Sequence, residues 1–74
     1  MTTTKLTQAQ FSACNDKLSD LIRASRKDPA AKAAAAAMSA EWDRVLAMPQ
    51  ATADQRAVRF AAIADAAARL GLLP

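Results

Sequence analysis

The sequence predicts an all-α fold, a compact three-helix bundle with a short loop at Met48–Thr52. Three observations carry that expectation. Two Thr-x-x-Gln capping boxes stand at Thr7–Gln10 and Thr52–Gln55, each just ahead of an apolar run. Apolar residues recur at alternating spacings of three and four. No stretch alternates apolar and polar residues as a half-buried strand would.

The first helix is expected over Gln8–Lys27. Thr7 is its N-cap and Gln10 its N3 residue, while Leu6 and Phe11 supply the hydrophobic staple. Its apolar stripe is Phe11, Cys14, Leu18, Leu21, Ile22 and Ser25, and Asp16, Asp20, Arg23 and Lys27 make the wet face. A proline at 29 pushes Asp28 away from helical backbone angles, so the helix is expected to break there. With so short a joint, an abrupt corner is favoured over a relaxed antiparallel hairpin, and a kinked continuous helix is the rival.

The second helix, expected over Pro29–Ala47, is the centre of the chain. It reads PAAKAAAAAMSAEWDRVL up to Leu46. Alanine loses no side-chain entropy in a helix, Pro29 suits the first turn, and Asp28 can cap the free amides. Ala31, Ala34, Ala35, Met38, Trp42, Val45 and Leu46 share one face, opposite Lys32, Ala33, Ala36, Asp43 and Arg44. The first half of that face offers only methyl groups, which allows another helix to approach closely. Trp42 is read as a core residue.

Pro49 closes the second helix, and the third is expected over Ala53–Leu70. Ala57, Phe60, Ile63, Ala64, Ala67 and Leu70 lie along one side, with Val58 pointing away. Gly71 is placed to be the residue after the C-cap, with Leu72 folding back on Ala67. Asp65 and Arg69 are spaced for an i,i+4 ion pair.

The chain has 74 residues, a net charge of +3 and a single cysteine. One domain over 7–74 is expected, preceded by a flexible lead over 1–6. Alanine inflates the apolar fraction, so the core is thin in large side chains, and a homodimer is a natural way to supplement it. A lone cysteine forms no internal disulfide, and neither a signal peptide nor a membrane span is legible, which together point to a cytoplasmic protein.

Catalytic chemistry is not expected. The sequence has no histidine and no tyrosine, which removes the commonest general base and metal ligand and the phenolic acid. Cys14 falls on the apolar stripe, where a buried thiol is inert. Asp16 and Asp20 lack the converging oxygens of a calcium or magnesium site, and Glu41 is followed by Arg44 rather than a histidine. No phosphate-binding glycine motif occurs, and no cofactor is expected.

What remains is binding. The preferred reading is a small regulatory protein that docks on another protein, in the manner of an inhibitor. Met48 and Leu73 are its candidate apolar contacts, with Arg44 as a polar neighbour. The alternative is a nucleic-acid-binding factor that uses Arg23, Arg26, Lys27 and Lys32 around the joint between the first two helices. Against it, the helix that follows shows alanine where a recognition helix would show long hydrogen-bonding side chains.

Overall fold

The computed structural model describes residues 5–73. It is an all-α three-helix bundle of α1 (Gln8–Ala24), α2 (Pro29–Leu46) and α3 (Ala53–Arg69), with no strand among the described residues.

Each helix begins as its local sequence dictates. Thr7 Oγ1 accepts from the Gln10 amide at 3.1 Å, and Gln10 Oε1 accepts from the Thr7 amide at 2.9 Å. The same reciprocal box forms at Thr52 and Gln55, at 3.1 Å in both directions. At the start of α2, Asp28 Oδ1 accepts from the amides of Ala30 and Ala31. Each cap satisfies amides that the helix leaves without a partner.

The helix ends differ slightly from expectation. α1 stops at Ala24 instead of Lys27 because Ser25 to Lys27 form a turn. Ser25 donates its hydroxyl to the Ile22 carbonyl at 2.8 Å, and the Asp28 amide donates to the Ser25 carbonyl at 3.1 Å. The extended backbone at Asp28 thus unwinds the turn before it as well. α2 and α3 each end one residue early, with Ala47 and Leu70 as C-caps.

The joint between α1 and α2 is also not a corner. Asn15 and Trp42 stand about thirteen and fourteen residues from Asp28, on opposite sides, or about 20 Å of helix each. Yet the Trp42 indole N–H donates to Asn15 Oδ1 at 2.9 Å. Only an antiparallel hairpin returns the chain to itself in this way. The extra turn residues at 25–27 make the reversal possible.

The core holds Cys14, Leu18, Trp42, Val45, Ile63, Ala66, Ala67 and Leu72. Trp42 is 1% exposed, and its ring centroid lies 5.9 Å from that of Phe11. Leu6 packs against this cluster, as its place in the hydrophobic staple expects; residues 1–4 lie outside the described part of the chain. At the other end Gly71 adopts φ 70°, and the Leu72 amide reaches back to the Ala67 carbonyl at 2.9 Å. With the Gly71 amide on Ala68 this completes a Schellman motif, and it delivers Leu72 to the core.

Three arginines of α3 tie the chain together. Arg59 donates through Nε to the Leu46 carbonyl at 3.0 Å, capping the end of α2, and Arg56 donates to the carbonyls of Gln50 and Ala51 in the loop. Arg69, in the last turn of α3, donates to Glu41 at 2.9 Å. That contact sets how far α3 reaches along α2. The two grooves along the stretch from Pro29 to Ala40, about 17 Å of helix, are lined by residues of α1, the turn and α2 alone.

Candidate functional site

Because α3 stops at the level of Glu41, the turn end of the α1–α2 hairpin is packed from one side only. The apolar stripe of α1 shows the effect directly. Leu18 is 6% exposed, whereas Leu21 and Ile22, on the next turn, are 37% and 43% exposed. Both were expected in the core. Leu21 lies where a longer third helix would have covered it, and Ile22 on the other side of the hairpin seam.

Two grooves flank the seam between α1 and α2 in this region. The first is lined by Leu21, Ala24, Ala31, Ala34 and Met38. The second is lined by Ile22, Arg26, Lys32, Ala36, Ser39, Ala40 and Asp43. They share Ser25 and Ala35, each 5% exposed in the seam itself. The first groove runs out of the core, since Met38 is half-buried and packs against it. Its floor is methyl groups, so the backbone of an incoming helix can come close, and Leu21 and Met38 form its taller edges.

The expected contact residues are not gathered in one place. Met48 is half-buried against the core and edges a shallow apolar depression with Pro49 and Val58, the latter 58% exposed. Leu73 also packs against the core, beyond the far end of α3. Arg44 is exposed but committed. It donates from Nε and Nη2 to the two carboxylate oxygens of Glu41, at 3.0 and 2.9 Å.

Nor does the basic set act as one cluster. Arg23 pairs with Asp20 at 3.3 Å, and Lys27 sits in the turn. Only Arg26 and Lys32 come together, at the turn end of the second groove.

Among the described residues the largest ion-pair network is the chain Arg44–Glu41–Arg69–Asp65. Arg69 donates through Nε to Asp65 at 2.7 Å, as the i,i+4 spacing required, and through Nη2 to Glu41 at 2.9 Å. The hydrogen bonds from Arg44 and then Arg69 pull the Glu41 carboxyl down to about 2. Hydrogen bonds to Asp65 first and Glu41 second raise Arg69. A carboxylate so held is a structural anion, poorly suited to taking up a proton near neutral pH.

Cys14 is fully buried, and burial pushes its thiol up, opposite to what a reactive thiolate needs. Among the described residues no three His, Cys, Asp or Glu side chains converge as a metal site, and no helix is long and apolar enough to cross a membrane. No family model matches the chain, and no characterised protein or solved structure is significantly similar to it.

Proposed function

We propose that this chain is a non-catalytic, regulatory binding protein that docks on another protein through the open end of its α1–α2 hairpin. One observation carries the reading. α3 ends beside Glu41 of α2, and an apolar groove lined by α1 and α2 lies between Leu21, Ala24, Ala31, Ala34 and Met38. The occupant that fits is an amphipathic helix of the partner, lying where α3 would have continued, with large apolar side chains set among the alanines. An inhibitor that works by occupying a helix-sized surface of a larger protein needs no chemistry beyond this.

The test begins with affinity capture of the tagged protein from its native cell, with nuclease and high-salt controls, followed by titration of the recovered partner. Leu21→Glu and Ala34→Glu, both at exposed positions, are expected to weaken binding more than tenfold, about 1.4 kcal/mol or more, with unchanged circular dichroism. Full binding by both variants, combined with loss in Met48→Ser or Leu73→Ser, would move the contact to the ends of the bundle. Capture abolished by nuclease, steeply salt-dependent over about 50 to 200 mM and lost in Arg26→Gln with Lys32→Gln, would establish the nucleic-acid alternative instead.

A further inference from the structure

The second groove, on the other side of the hairpin seam, has a charge pattern that the docking reading leaves unused. Arg26 and Lys32 stand at its turn end and Asp43 at the opposite end, with Ala36, Ser39 and Ala40 between. All six are exposed or nearly so, and the three charged ones make no ion pair among the described residues, where the ion pairs are Asp20–Arg23, Glu41–Arg44, Glu41–Arg69 and Asp65–Arg69.

We infer that this face pairs with the same face of a second copy, α2 lying antiparallel on α2 about a two-fold axis that passes between the two helices at the level of Ala37 and Met38. The residues themselves define that register. Under such an axis Lys32 of one copy meets Asp43 of the other and Ala36 meets Ser39, while Ala35, buried in the seam, stands level with Ala40 at the edge of the contact. Every groove residue of α2 is thereby matched to another groove residue. Lys32, Ala36, Ser39 and Asp43 follow one another at spacings of four, three and four, three full turns that bring them to within about 30° of one line. A self-complementary contact requires that residue i meet j wherever j meets i. This face satisfies the requirement in charge as well as in shape, because cation and anion sit at equal distances from the axis.

Between the charged ends the facing residues are alanine and serine, so the two helix axes can approach toward the lower end of the usual 8–10 Å. Ile22 of α1, 43% exposed, borders the same groove and gains cover from the second copy. Arg26 adds a further cation at the end that receives the partner copy's Asp43. The other hairpin face, with Leu21, Ala34 and Met38, stays open for docking, so the two readings fail independently.

Charge reversal tests the register. Lys32→Asp and Asp43→Lys each place like charges opposite one another at both ends of the contact. Neither change threatens α2 itself, since an acid is favoured in its first turns and a base in its last. Sedimentation equilibrium of the wild-type chain should show dimers at high micromolar protein. Each variant alone should dimerise about tenfold or more weakly. Mixed in equal amounts, the two variants restore opposite charges at both ends and should form a heterodimer at least as tight as the wild type. Monomeric wild type at millimolar protein would overturn the inference. So would dimerisation indifferent to both reversals, or a mixture of the two variants that fails to recover it.

Discussion

Arg69, in the last turn of α3, donates to Glu41 on α2 at 2.9 Å, while Arg44 holds the same carboxylate from within α2. This junction is where the third helix lets go of the hairpin. It also leaves a signature in the pH dependence of stability. Glu41 is drawn from an ordinary 4.5 to about 2 by its two arginines. Between those values the unfolded chain binds more protons at this position than the folded one, so raising the pH favours folding. The stabilisation from Glu41 is complete above about 4.5 and is lost as the pH falls through about 2. In urea melts across this range, the gap between wild type and Glu41→Gln should be constant above pH 4.5 and should close toward pH 2. A gap independent of pH would mean that the arginines do not hold the carboxylate in solution.

Trp42 is the largest side chain in the core, and its one polar atom is satisfied by Asn15. Trp42→Ala should cost about 3–5 kcal/mol, as large-to-small substitutions of buried aromatics do. Asn15→Leu leaves the indole N–H without an acceptor in a part-buried place and should cost about 1–3 kcal/mol. Trp42→Phe removes that donor, so the additional effect of Asn15→Leu in the Trp42→Phe background should nearly vanish. Denaturant midpoints of the four chains form a double-mutant cycle, and strict additivity would show that the bond contributes nothing.

At Gly71 the test concerns backbone rather than contacts. A Cβ at this position would meet nothing within 4 Å, yet φ is +70°. Gly71→Ala should therefore destabilise by about 1–2 kcal/mol, the cost of a left-handed conformation for an L-residue. Any larger loss would indicate that Leu72 has also left the core.

Much of this architecture was legible because it is local. Capping boxes, a proline at N1 and a glycine after the C-cap each act within a few residues of themselves, and all formed as read. The stripe Phe11, Cys14 and Leu18 went to the core for the same reason, being set by helical period alone. Length along the bundle was another matter. Nothing in the period of α1 distinguishes Leu18 from Leu21; only the end of α3 beside Glu41 does, and that is a contact between residues 28 positions apart. The hairpin was missed because three residues of α1 were counted as helix when they form the turn that lets the chain reverse. For the same reason the candidate contacts at Met48 and Leu73 looked like neighbours in kind, while the grooves beside Leu21 and Ile22 were invisible until the helices were placed side by side.

The difference between Leu18 and Leu21 gives the sharpest check on where the bundle ends. The two leucines share a helix and a stripe, but one is 6% exposed and the other 37%. Leu18→Ala should cost about 2–5 kcal/mol, and Leu21→Ala less than about 1 kcal/mol in the monomer. Hydrogen exchange read at dilute protein should follow the same boundary. Amides from Trp42 to Leu46, under α3, should exchange only with global unfolding, whereas those from Ala33 to Ala37 should exchange earlier through local opening, since only α1 supports them. Equal costs for the two leucines, together with uniform protection along α2, would mean that α3 or the segment after it covers the hairpin to its tip in solution. The groove between Leu21 and Met38 would then be closed.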